Sequence, residues 1–308
     1  MKGYKGFNKG LVCRGKQYAE NTIFEEEKAV ICRSGMHFCE NPLDVLDYYP
    51  LIADNGEPNE FAEVEALAKV DTDDKKKYTT TKLRIGAKLT FAGLVKASVE
   101  FAMETCKKAN KKDSAKMASS GYYAKMASSG YYAQMASSGN YAQMASSGNS
   151  AQMASSGDSA QMASSGNSAQ MASSGNSAQM ASSGYYAKMA SSGYYAQMAS
   201  SGDSAKMASS GYYAQMASSG NSAQMASSGY YAQMASSGKN SVVAAIGYGS
   251  MAKAAKGSWI TLAEWVRDDE GNWIPALVKT RKVDGKHIKA GTWYKLKNGK
   301  FEVCENGG

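Results

Sequence analysis

The sequence predicts a mainly β protein built around a β-solenoid, with a small α+β domain before it and a small antiparallel β domain after it. Three observations carry this. From Ala115 to Gly238 a nine-residue unit, Ala-(Lys/Gln)-Met-Ala-Ser-Ser-Gly-x-x, repeats fourteen times without a gap. Fixed-period self-similarity means one small unit stacked along an axis, and nine residues hold a short strand and a turn, far fewer than the roughly 33 that a helical repeat needs. Composition is mixed and charged before the array and rich in Trp and Lys after it, which divides the chain into 1–112, 113–256 and 257–308.

In the first segment, short apolar runs at residues 3–13, 29–32, 36–39, 61–66 and 83–89 read as strands between turns, with a helix following Cys39 as far as Tyr49. The run 91–108 is amphipathic, with Leu94, Ala97, Phe101 and Met103 largely on one side, and predicts a capping helix. A solenoid needs such a cap because its first coil otherwise exposes apolar core and an unpaired strand edge.

Within each repeat, strand alternation places Ala115 and Met117 on one face and Lys116 on the other. The Met and Ala columns form a narrow interior, each buried Met contributing about 2 kcal/mol by apolar transfer. Gly121 and its equivalents are expected to turn the chain through a positive φ. The variable dyad is Tyr-Tyr at Tyr122-Tyr123, Tyr131-Tyr132, Tyr185-Tyr186, Tyr194-Tyr195, Tyr212-Tyr213 and Tyr230-Tyr231, and mostly Asn-Ser or Asp-Ser elsewhere. In the second half the tyrosine dyads alternate with polar ones at a period of eighteen, which predicts two repeats per coil and tyrosine ladders concentrated along one edge.

Beyond the array, Val242, Val243 and Ile246 replace smaller residues and suit a closing coil. The runs 259–266, 273–283 and 292–305, the first two joined by the turn 268–272, the next joined past Asp284-Gly285 and the last folded around Asn298-Gly299, read as an antiparallel meander. Trp259, Trp265, Trp273 and Trp293 are expected to form its core, and a binding platform is the other use of such residues.

The net charge of +8 is concentrated at the C-terminal end, where from Lys239 on 12 Lys and Arg face 7 Asp and Glu. No continuous basic stripe accompanies it, so a nucleic-acid partner is not expected. Neither a secretory signal nor a stretch of transmembrane length is present, and the cysteine count of five is odd. These features predict a protein of the reducing cytoplasm with no membrane partner. Cys13, Cys32, Cys39, Cys106 and Cys304 then read as buried thiols. His37 between Cys32 and Cys39 lacks the paired spacing of structural zinc sites, and no metal or other cofactor is expected.

Tyr4-Lys-Gly-Phe7, Cys13-Arg-Gly15, Cys32-Arg-Ser-Gly-Met-His-Phe-Cys39, the central array and Gly291-Thr-Trp-Tyr-Lys-Leu-Lys-Asn-Gly299 together resemble phage- and prophage-encoded nonapeptide-repeat proteins of unassigned function. The resemblance implies a bacterial-host cytoplasm, with virion association as a further setting, and the same three-part layout, but no mechanism. The array also looks loosely like the β-roll heads of trimeric adhesins, which carry Asn-Ser-Ala segments. Calcium-binding nonapeptide rolls share its period, but here the Gly-Gly and the regular Asp are missing.

Arg14, then Ser34, then Glu63-Val-Glu65 resemble in order the Arg, Ser and Glu-x-Glu strands of ADP-ribosyltransferases. That resemblance implies an arginine holding the NAD phosphates, a serine supporting the nicotinamide side and a second glutamate bonding a ribose hydroxyl, on Arg14, Ser34 and Glu65. The family's Ser-Thr-Ser motif is absent, so ordinary strand-end charges are the preferred account. The leading functional expectation is a non-enzymatic binding or scaffold protein. Its twelve dyad tyrosines would serve self-association, a host or phage protein partner, or a carbohydrate.

Overall fold

The computed structural model describes residues 1–31, 33–53, 57–73, 76–105 and 112–304. Cys32 and Cys106 lie outside the described residues. The protein is mainly β, with a central β-solenoid, and its chain divides into two units, Met1–Phe101 and Ala102–Asn306. No helix among the described residues is long and apolar enough to cross a membrane.

The first unit contains strands β1 (Lys2–Phe7), β2 (Val12–Cys13), β3 (Lys16–Gln17), β4 (Thr22–Glu25), β5 (Met36–Cys39), β6 (Glu60–Ala66), β7 (Val70–Asp71), β8 (Lys77–Thr80) and β9 (Lys82–Leu89). Seven of them form one sheet in the order β4-β9-β6-β1-β5-β8-β7, and β2 and β3 make a separate small hairpin. Its core joins Phe7, Met36, Phe38, Val64, Leu83 and Ile85. The expected strand at 29–32 is reduced to a single bridge between Val30 and Ser34, and the helix expected after Cys39 is a 3-10 turn over Pro42–Asp47 capped by Asn41. Helix α1 runs over Phe91–Thr105, and the remainder of the expected 91–108 lies outside the described residues. Leu94 and Ala97 are buried as anticipated, and the Thr90 hydroxyl caps the helix by accepting from the Gly93 amide at 3.1 Å.

In the second unit every array strand pairs in parallel with the strand eighteen residues away, Met117 opposite Met135 and Met126 opposite Met144, so each coil holds two repeats. Two sheets of ten strands result. The Met column fills the space between them, with Met153, Met162 and Met180 at most 2% exposed. The preceding Ala column, such as Ala133 and Ala142, is buried with it. On the second sheet's outer face the Gln143, Gln161 and Gln179 amides bond one another along the axis at 3.2 Å, and Gln161 and Gln179 are buried there rather than solvated.

The turn works differently from the expectation. Gly121 and its equivalents are not at positive φ. That conformation falls on the second dyad residue, Tyr123 at 57°, Ser159 at 53° and Tyr213 at 56°. Glycine is required for another reason: a Cβ on Gly157 would collide with the Gly139 carbonyl oxygen of the coil below. The first Ser of Ser-Ser-Gly points inward and its hydroxyl accepts from the Gly amide, as Ser137 does from Gly139 at 3.2 Å.

The C-terminal strands are not a separate meander. Trp259–Arg267 joins the first sheet parallel to Val242–Ala245 and turns back as Trp273–Lys282, while Tyr294–Lys297 pairs antiparallel with Met251–Ala254 and turns back as Lys300–Val303. The last coil leaves two open sheet edges whose backbone donors and acceptors need partners, and each edge takes one hairpin. Nor do the four tryptophans form a common core. Trp293 is buried beneath the Lys253 ammonium, Trp259 is 45% exposed, and Trp265 and Trp273 lie with the tyrosines.

Candidate functional site

Because a coil holds two repeats, successive dyads fall on opposite edges of the solenoid. Tyr122-Tyr123, Tyr194-Tyr195, Tyr212-Tyr213 and Tyr230-Tyr231 follow strands of the first sheet and share one edge. Tyr131-Tyr132 and Tyr185-Tyr186 follow strands of the second sheet and lie on the other.

Both edges carry a hydrogen-bond ladder. Where the first dyad residue is Asn or Asp, its side-chain oxygen accepts the amide of the residue one coil on. Asn140 accepts from Asp158 at 2.9 Å, Asp158 from Asn176 at 2.7 Å, and Asn149 from Asn167 at 2.8 Å. Tyrosine has no oxygen within reach of that amide, and where the neighbouring coil also carries tyrosine at the same position the two rings pack together, as Tyr194 does on Tyr212.

The tyrosine-rich edge therefore holds two aromatic patches with two polar coils between them. Tyr123 and Tyr141 stack at 5.1 Å in the first. In the second, one column runs Tyr194, Tyr212, Tyr230 with spacings of 5.0 and 4.9 Å, and its neighbour runs Tyr195, Tyr213, Tyr231 with spacings of 5.2 and 5.1 Å. Tyr248 joins both columns at their end, from Tyr230 at 5.8 Å and Tyr231 at 5.4 Å. Trp265 then meets Tyr230 at 6.1 Å, and Trp273 meets Tyr248 at 4.0 Å and lies under the Arg267 guanidinium. The Trp265 indole is anchored by donating to the Ile246 carbonyl at 2.9 Å. Tyr194, Tyr195, Tyr212, Tyr213 and Tyr231 each remain more than a third exposed. The Tyr231 hydroxyl is pushed above the ordinary tyrosine range, first by desolvation and then by its hydrogen bond with Tyr248.

Tyr141 and Tyr248 were not among the residues expected to take part, while Trp265 and Trp273 were expected as domain core, with a binding platform as their other use. Tyr248 was within reach of the sequence, since it stands eighteen residues after Tyr230 and continues the coil period. The place of the tryptophans beside the tyrosines was not, because they arrive by a hairpin that lies outside the repeat.

In the first unit, Arg14 and Ser34 both line a cleft of about 290 Å³, so the structure brings these two together. Glu65 does not line it and is ion-paired with Arg84 at 3.0 Å on neighbouring strands. Among the lining residues that sequence reasoning missed are Lys5 and Tyr49. Lys5 carries a signal, for it occupies a core-facing position two residues from Phe7 where an apolar side chain is the norm.

Residues 1–97 match a domain of unknown function, DUF7666. No curated protein and no solved structure matches the chain. The cleft lies inside the matched region, and the aromatic edge lies outside it.

Proposed function

We propose that this protein is a binding scaffold that associates with a second copy of itself through the C-terminal aromatic patch of its tyrosine-rich edge. The observation that carries this reading is the exchange of the Asn/Asp ladder for a column of ring contacts, stacked and then edge-to-face, over Tyr194 to Tyr248. A ladder hydrogen bond contributes about 1 kcal/mol and an aromatic pair about 0.5–1.5 kcal/mol. Coil stacking alone therefore gives little reason to choose tyrosine. What tyrosine adds is exposed, rigid, largely apolar area, the kind of surface that forms interface hot spots.

The partner chemistry follows from the patch. Apart from Arg267 over Trp273, its residues are uncharged, so a like surface meets it without burying unpaired charge. A self-complementary patch closes as a twofold dimer. A phage or prophage setting fits a scaffold of this kind.

Light scattering on the full chain tests the reading. A dimer is expected that becomes monomeric when Tyr194, Tyr195, Tyr212, Tyr213, Tyr230 and Tyr231 are changed to Asn-Ser dyads. Changing Tyr131, Tyr132, Tyr185 and Tyr186 on the opposite edge should leave it intact. A monomeric parent, or a dimer indifferent to the first set, overturns self-association. Glycan-array binding lost with that same set would instead give the patch to carbohydrate.

A further inference from the structure

The N-terminal cleft contains a buried amine beside a thiol, an arrangement that ordinary packing does not call for. Lys5 is 4% exposed in the middle of β1. Its ammonium nitrogen donates to the His37 carbonyl at 2.9 Å and stands 5.4 and 5.6 Å from the ring centroids of Phe7 and Tyr18. Cys13 lines the same cleft as Lys5, and the Tyr49 hydroxyl donates to its sulfur at 2.9 Å. Three separate segments thus bring an amine, a thiol and a phenol into one cleft.

The cleft above them is cationic. Lys5, Arg14, Lys16, Arg33 and Lys77 line it, and the one lining carboxylate, Glu26, is paired with Lys16 at 2.9 Å. His37 registers the convergence. Its affinity for a proton is lowered first by burial and then by Lys5, Arg14 and Lys77. Arg14 is presented to the cleft from the tight turn between β2 and β3, where its φ is 49°.

We propose that Cys13 is the nucleophile of a site for a small anionic electrophile, one bearing a carboxylate or a phosphate, with Lys5 as its base. The Sγ proton passes to the Lys5 amine and Sγ attacks a carbon of the ligand. The sulfur–carbon bond forms as the bond from that carbon to the leaving group breaks. The leaving group departs with the bonding pair and takes its proton from the Lys5 ammonium. The anionic substituent lies against Arg14 and Lys77, and the Tyr49 hydroxyl positions the sulfur. Burial supports the base role, since desolvation lowers the Lys5 affinity for a proton and so favours the neutral amine.

Alkylation of the native full chain by iodoacetate and by iodoacetamide, read peptide by peptide by mass spectrometry, tests this. Cys304 is the internal reference, a half-buried thiol whose pKa is raised chiefly by burial. Relative to Cys304, Cys13 should favour the anionic reagent over the neutral one by on the order of tenfold, the lower end of electrostatic focusing. Inorganic phosphate should slow Cys13 and leave Cys304 unchanged. Lys5→Met should abolish the fast reaction, and Tyr49→Phe should slow it. Cys13 unreactive to both reagents, showing no preference for the anion, or unprotected by phosphate overturns the site. An unchanged rate in folded Lys5→Met removes Lys5 as the base. If Lys5→Met fails to fold, the reagent ratio and phosphate protection in the parent chain still decide.

Discussion

The Asn176 side-chain oxygen accepts the backbone amide of Tyr194 at 3.0 Å, and this is where the polar ladder of the tyrosine-rich edge ends and the rings begin. One coil further on, Tyr194 meets Tyr212 ring to ring at 5.0 Å. Asn176→Ala should cost about 1 kcal/mol, the value of one lost hydrogen bond, while Asn176→Asp, which keeps the oxygen, should be nearly neutral. Chemical denaturation of the two variants measures the difference.

Glycine and the residue two positions after it have separate jobs, and substitution distinguishes them. Gly157→Ala puts a methyl group against the Gly139 carbonyl and should destabilise strongly, by about 2 kcal/mol or more. Ser159→Gly relieves a left-handed residue at φ 53° and should be neutral or stabilising by up to about 1 kcal/mol. If the glycine acted through its own φ, the alanine variant would instead cost no more than a conformational penalty. Thermal unfolding of both reads this directly.

Met153→Asp places a carboxylate between the two sheets, where Met153 is 2% exposed, and should melt the solenoid cooperatively. Gln152→Glu, one residue earlier on the exposed face, should change the melting temperature little. Circular dichroism on heating compares them, and equal tolerance of both would reverse the inside and outside assignments.

Glu60 gives the first unit a pH dependence. Desolvation acts to raise its pKa. Hydrogen bonds from Lys88 at 2.6 Å, Leu11 at 2.9 Å and Gly10 at 3.0 Å outweigh it and hold the carboxyl below the ordinary glutamate range. A carboxylate depressed by folding contributes stability that is fully present above its unfolded pKa and is lost as pH falls through the folded one. Unfolding of the parent chain should therefore ease as pH drops below the normal glutamate range, and Glu60→Gln should flatten that part of the profile. A Glu60→Gln profile parallel to that of the parent would count against the role.

Much of the second unit was legible in the sequence. The nine-residue period demanded strands, the eighteen-residue alternation of tyrosine dyads set two repeats per coil, and Met beside Lys or Gln divided inside from outside on the first sheet. Each of these depends only on a residue and its neighbour one coil away, and a repeat states that relationship fourteen times. Tertiary structure decided the rest. The glycine's purpose depends on how closely one coil's backbone lies over another, a distance no residue type spells out. Trp265 and Trp273 reach the tyrosines only because a hairpin continues the first sheet. Lys5, Cys13 and Tyr49 meet in one cleft only when β1, the small hairpin and the segment after the 3-10 turn fold together, and a sequence that states each residue once has no repeat to announce such a contact.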